Sequence, residues 1–161
     1  MADKYQKKYN TCKTLDIDTV QKQVKVAIAE TETVDRDGEI FDSKAFAKTI
    51  KENGPSGTNE IWHLLDHDSK SFSALSKFKE VGMEGKYLYG ISQYKDSFAW
   101  REVAWPLYEA GDFTQHSVGF TSTGEKVKHK DGHTIITQAR AWEGSAVLWG
   151  ANPNTPVLGI Q

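Results

Sequence analysis

Apolar residues in this chain recur mostly at every second position, and that period limits what the chain can build. Val24, Val26 and Ile28 alternate with Lys25, Ala27 and Ala29, the pattern of a strand with one buried face. Further strands are predicted over 60–67, 72–81, 86–94 and 114–123, and over 134–148 in one or two pieces. Helical spacing shows in two places. Phe46, Thr49 and Ile50 fall on one stripe, with Asp42 or Ser43 as cap and Gly54-Pro55 as stop. Ser97 to Ala110 carries Trp100, Val103, Ala104, Leu107 and Tyr108 on one side and ends at Gly111, while Pro106 predicts a kink or break inside it. The order is one strand, a helix, three strands, a second helix and three strands. It lacks the strand-helix alternation of a doubly wound parallel sheet. The expected fold class is α+β, mainly an antiparallel β-barrel flanked by helices.

Turn chemistry supports these divisions. Asp35-Arg36-Asp37-Gly38 suits a tight connection, and Gly82-Met83-Glu84-Gly85 suits a hairpin between 72–81 and 86–94. Lys130-Asp131-Gly132-His133 marks the tip of a polar hairpin arm, and Asn152-Pro153-Asn154-Thr155-Pro156 reads as an extended loop. Residues 1–22, with five Lys, three Asp and little periodicity, are expected to form a polar N-terminal arm or edge segment, leaving 23–161 as a single domain. A chain of 161 residues makes roughly one domain, large enough to fold without disulfides or a structural metal.

Composition removes several function classes. Twenty Lys and Arg against 22 Asp and Glu give a formal charge of −2, without the basic excess that phosphate contacts require, so no nucleic-acid partner is expected. Cys12 is the only cysteine, which rules out an intramolecular disulfide and a cysteine-rich zinc site and fits a reducing compartment. The first residues lack the apolar core of a signal peptide, and no 18-residue apolar run occurs, so neither export nor a membrane span is expected.

Three segments could carry chemistry. His63-Leu64-Leu65-Asp66-His67-Asp68 is the densest titratable cluster, and strand periodicity would turn both histidines to one face. A zinc-protease helix would need Glu directly after the first histidine, where Leu64 stands. Structural packing of the imidazoles and general-base chemistry are the two other readings, the latter suited to a group with a reference pKa near 6.5. In Thr114-Gln115-His116-Ser117-Val118-Gly119-Phe120, Ser117 and Gly119 share a strand face, where a missing side chain leaves room for a substrate backbone to reach a nucleophile; a surface serine beside a strand glycine that marks a bulge is the other reading. His116 should face the other way and is not paired with Ser117. Glu143 is a lone carboxylate in an apolar strand, open to an imidazole partner, a salt bridge or an exposed edge position. The tryptophans are expected mainly in the core.

Together these segments resemble the prohead maturation proteases of tailed bacteriophages, serine peptidases related to herpesvirus assemblin. The resemblance rests on Asp35-Arg36-Asp37-Gly38, Lys44-Ala45-Phe46, Leu65-Asp66-His67-Asp68, His116-Ser117-Val118-Gly119-Phe120, Glu143-Gly144-Ser145-Ala146-Val147 and Ala151-Asn152-Pro153, in that order, from about Val24 to Val157. The family often has Pro-Ile-Gly soon after the histidine, whereas Ser71-Phe72-Ser73-Ala74 stands here. The resemblance implies an assemblin-like barrel over 23–161 as the protease domain, and a cofactor-free, metal-free serine endopeptidase. Aligning the following aspartate selects His67 over His63 as base, with Ser117 as nucleophile and Glu143 as orienting acid. Oxyanion donors are open between backbone N–H groups near Ser117 and the side chains of Arg101 or Arg140. The implied setting is the host cytoplasm, inside the procapsid. The implied substrates are segments of the major capsid protein or scaffold protein, with self-processing and self-association compatible. The competing reading is a catalytically inactive, protease-like capsid or scaffold component that binds peptide without cleavage.

Overall fold

The computed structural model describes residues 5–7, 12–35, 37–129 and 131–148. In chain order these form β1 (Tyr5–Lys7), β2 (Cys12–Asp18), β3 (Gln23–Glu30), β4 (Glu39–Phe41), helix α1 (Ala47–Asn53), β5 (Trp62–Leu65), β6 (Ala74–Lys77), β7 (Glu80–Glu84) and β8 (Tyr87–Gln93). A π-helical stretch, Ala99–Ala104, runs into α2 (Trp105–Glu109), and β9 (Gln115–Ser122), β10 (Lys126–Lys128), β11 (Thr134–Ile136) and β12 (Ala139–Val147) follow. Arg36, Lys130 and everything from Trp149 onward, including the Ala151-Asn152-Pro153 segment and the expected extended loop, lie outside the described residues.

Nine strands make one sheet with the order β6-β5-β12-β9-β2-β3-β8-β7, β1 pairing with β9, and β10-β11-β4 make a smaller one. Most pairs are antiparallel, as the short connections require, but β12 runs parallel to β5 and β11 parallel to β4. The α+β class therefore holds, whereas the expected closed barrel does not: both sheets are open. The large sheet curls far enough for β12 to touch β3 across two intervening strands, since a Cβ on Gly144 would lie 2.3 Å from Ile28 Cγ2. Its ends meet only locally, through Ser76 Oγ donating to the Gln93 carbonyl at 2.8 Å and Lys79 N–H donating to the Ile91 carbonyl at 2.8 Å. Closure fails because the chain turns after β6 and gives β7 to β8, so no ladder joins β6 to β8.

Inside the curl lies one apolar cluster. Val24, Val26 and Ile28 of β3, Leu88 of β8, Val118 and Phe120 of β9 and Ala141 of β12 meet Phe46 beside α1 and Trp100 and Tyr108 of the second helical segment. Each large side chain buried this way contributes about 1.5–3 kcal/mol. Helix α1 begins at Ala47, later than expected, without a side-chain cap; Asp42 instead accepts from the Lys44 N–H in the preceding turn. The break expected at Pro106 takes a specific form. The Trp105 N–H reaches back five residues to the Trp100 carbonyl, and α2 restarts with Pro106 in its first turn, where a missing N–H costs nothing.

Of residues 1–22, expected as a polar arm or edge segment, only 5–7 and 12–22 are described. They supply β1 and β2, and β2 lies inside the large sheet between β9 and β3, because backbone pairing needs no apolar period. The 72–81 stretch divides into β6 and β7, and the hairpin turn sits at Gly85 (φ 58°), leaving Gly82 and Met83 in β7. No helix among the described residues is long and apolar enough to cross a membrane.

Candidate active site

Strands β9 and β12 pair so that Ser117 lies directly opposite Ser145 and Gly119 opposite Glu143. Residues opposite one another in a ladder share a face, so Ser117, Gly119, Glu143 and Ser145 all project from the outer side of the sheet. His116, Val118 and Phe120 point inward and are buried, as the alternation of 114–120 predicts. A register shift between Ala141 and Glu143 leaves Trp142 as an extra, unopposed residue, the kind of irregularity that re-aims side chains near functional sites.

The two histidines part company at the end of β5. Strand parity would keep them on one face, but β5 stops at Leu65, and Asp66 and His67 take left-handed backbone angles, φ 53° and 56°. Such residues cost about 1–2 kcal/mol each and need local support. The Asp66 N–H donates to the Ala146 carbonyl at 3.1 Å, and the His67 N–H donates to Ser145 Oγ at 2.9 Å. The reversal brings the His67 ring onto the outer face, where its Nδ1 contacts Glu143 Oε1. The Ser145 hydroxyl donates to the other carboxylate oxygen, Glu143 Oε2, at 2.5 Å. His67, Glu143, Ser145 and Ser117 are all buried. Ser117 Oγ has no hydrogen-bond partner among the described residues.

His63 lies on the inner face. Its Nδ1 meets Ser92 Oγ at 2.8 Å and its Nε2 meets Tyr108 Oη at 2.9 Å, while Tyr108 Oη also meets His116 Nε2 at 2.6 Å. Burial, with the neighbouring His116, holds His63 well below the usual 6.5, and burial pushes the Tyr108 phenol well above its usual 10. One phenolic hydrogen can serve only one imidazole, so the other ring must donate to Tyr108. The common face expected for His63 and His67 is thus overturned, and one ion could not be held by both. A different acidic group, Asp35, Asp37 and Glu39, brings carboxylate oxygens within 4.8 Å of one another. Asp35 Oδ1 there accepts the N–H groups of Asp37 and Glu39, at 2.9 and 3.0 Å, and so organises its own turn.

Beside Glu143 opens a cavity of about 570 Å³ lined by Trp62, Leu64, Ser71, Ala74 and Trp142. Both indoles carry cations: Lys77 Nζ lies 5.6 Å from the Trp62 ring and Arg140 Cζ 3.8 Å from the Trp142 ring. Arg140 also reaches Glu60 at 3.3 Å, and its burial lowers its pKa. Arg101 is engaged elsewhere, by Asp96 at 2.6 Å and Glu102 at 2.9 Å. Trp100 and Trp105 are core residues as expected, whereas Trp62 is half-buried and Trp142 exposed. Sequence reading missed Ser145 and the tryptophan-lined cavity. Ser145 had a usable signal, because a hydroxyl two residues beyond a strand carboxylate shares its face.

An imidazole held at Nδ1 by a buried carboxylate, next to a strand that presents a serine on the same face, is an arrangement suited to nucleophilic acyl transfer. Over residues 13–160 the sequence matches the family described as caudovirus prohead serine protease. The fold is similar to that of the capsid assembly protease of bacteriophage T4, with a TM-score of 0.63 over 93% of this chain and 100% of that one, at 13% sequence identity. No curated protein sequence matches.

Proposed function

This chain belongs to the caudovirus prohead serine protease family, and from that premise we propose that Ser117, His67 and Glu143 are its nucleophile, base and orienting acid. The family places it as a serine peptidase of phage capsid maturation. The observation that carries the residue assignment is the contact of His67 Nδ1 with Glu143 on the outer face, where the ladder also presents Ser117. With Nδ1 engaged by the carboxylate, Nε2 is the ring nitrogen that takes the Ser117 proton as Oγ attacks the scissile carbonyl. The imidazolium then returns that proton to the leaving amine, and water, activated by the same nitrogen, releases the acyl group from Ser117. Glu143 keeps the ring in the Nδ1–H tautomer and stabilises its positive charge. Gly119, opposite Glu143, adds no side chain to the face that carries Ser117.

The substrates we assign are segments of the major capsid or scaffold protein, cleaved inside the procapsid, with self-processing a parallel outcome. The cavity between Trp62 and Trp142 adjoins Glu143 and so would receive part of the bound segment. The test incubates the purified protein with the capsid protein of its phage and follows intact masses over hours. Discrete fragments from the wild type and none from Ser117→Ala are expected. Intact substrate that nonetheless binds would support the inactive capsid component instead, and fragments from Ser117→Ala would end the nucleophile assignment.

A further inference from the structure

We infer that Ser145 is a positioning residue, whose hydroxyl ties the His67 backbone to the Glu143 carboxylate and so sets the geometry of the base. This rests on the assignment of Ser117, His67 and Glu143 above. Its bonds have a determined direction. A backbone N–H can only donate, so Ser145 Oγ accepts from His67 at 2.9 Å; its single hydrogen is then directed to Glu143 Oε2 at 2.5 Å. Glu143 is consequently gripped at both oxygens, by His67 Nδ1 on Oε1 and by Ser145 on Oε2, which fixes the plane of its carboxylate. Hydrogen bonds to an ionised acceptor in a buried setting are about twice as strong as neutral ones, and Glu143 is only 2% exposed.

The second link concerns the backbone. His67 follows Asp66 through two consecutive left-handed residues, a conformation that persists only where surrounding contacts hold it. The bond from the His67 amide to Ser145 is one of those contacts, and it acts at the residue whose ring must be aimed. Ser145 also faces Ser117 across the β9–β12 ladder, so one residue spans the strand of the nucleophile, the turn of the base and the acid. Its own hydrogen points to the carboxylate rather than to the imidazole, which makes it a holder of the base and not a second nucleophile.

Two accounts of Ser145 can be separated experimentally. A merely structural hydroxyl would affect melting temperature alone. A positioning hydroxyl affects how fast Ser117 reacts in folded protein, and a misplacement of about 1 Å in a reacting group costs roughly 100-fold. The full chain and its Ser145→Ala, Ser145→Cys and Ser145→Thr variants would be compared by the rate of Ser117 labelling with a fluorophosphonate probe, and by the proton NMR signal of His67 Nδ1–H. We expect labelling to slow about 10- to 100-fold in Ser145→Ala. Ser145→Cys should be intermediate, Ser145→Thr should recover rate because it restores the hydroxyl, and the imidazole signal should move upfield when the hydroxyl is lost. Folded Ser145→Ala labelling within twofold of wild type, with an unmoved signal, overturns the inference; if Ser145→Ala does not fold, the same result in Ser145→Cys does so. The underlying triad is checked separately by Ser117→Ala. Loss of labelling there together with full rate in Ser145→Ala would sink only the role of Ser145, while labelling that persists in Ser117→Ala would sink both.

Discussion

The sheet around β5, β9 and β12 carries a buried polar group on each side, and the two are built on opposite plans. On the inner face Ser92, His63, Tyr108 and His116 form a hydrogen-bonded row among Phe78 and Trp100, with His63 held neutral by burial. On the outer face an imidazole touches a carboxylate, a cavity adjoins that carboxylate, and a serine hydroxyl on the same face has no partner among the described residues. The inner row satisfies polar groups that the core would otherwise penalise, and it holds the sheet against the second helical segment. In the roles proposed above, the outer group would supply a base, an acid and a nucleophile, and the cavity adjoins its carboxylate. Burial of polar side chains alone therefore does not mark a site here; an imidazole–carboxylate pair whose carboxylate borders a cavity does.

The largest effects should separate the faces by rate. Ser117→Ala is expected to lower kcat by three orders of magnitude or more with Tm nearly unchanged, and His67→Ala to match it, as measured by fragment formation and thermal melting. If His63→Ala is instead the inactive variant and His67→Ala cleaves normally, the functions of the two faces are exchanged. Glu143→Gln should reduce kcat by less than loss of Ser117 does, because the orienting acid is the least costly member to remove. A full-speed Glu143→Gln with a lowered Tm would make Glu143 a structural partner and leave the third member elsewhere.

Smaller effects should appear as stability on the inner face. His63→Ala leaves Tyr108 and Ser92 without this partner and opens a cavity, costing about 2–5 kcal/mol in urea unfolding, while the folded fraction cleaves at close to the wild-type rate. His63 also predicts a pH dependence. Its folded pKa lies well below 6.5, so beneath about pH 6.5 the unfolded chain binds a proton that the folded chain refuses, and stability falls as pH falls. The slope contributed is up to ~1.4 kcal/mol per pH unit, and it should be missing in His63→Gln. A slope unchanged by that substitution would show that His63 is not the group responsible. EDTA should leave cleavage unaltered, since His63 and His67 lie on opposite faces; loss of activity restored by zinc would break that contrast.

Features set by local periodicity were legible from the amino acids alone. The strands near 24, 87 and 115–122 follow from alternation, and so does the division of 114–120 into an outer serine and glycine and an inner histidine, because a pleated backbone turns successive side chains to opposite sides whatever lies around it. The left-handed Gly38 and Gly111 followed from turn and helix-exit chemistry in the same way. Three features waited on tertiary structure. Whether the sheet closes depends on strands far apart in sequence, and β7 pairs with β8 rather than extending β6. The place of β2 in the sheet depends on backbone bonds to β3 and β9, which its mixed side chains do not advertise. The separation of His63 from His67 depends on where β5 ends. Alternation continued through 67 puts both rings on one face, but the parallel register with β12 reaches only Leu65, and contacts from Ala146 and Ser145 hold the next two residues in a left-handed turn. Those contacts join residues about eighty positions apart, and no local period encodes them.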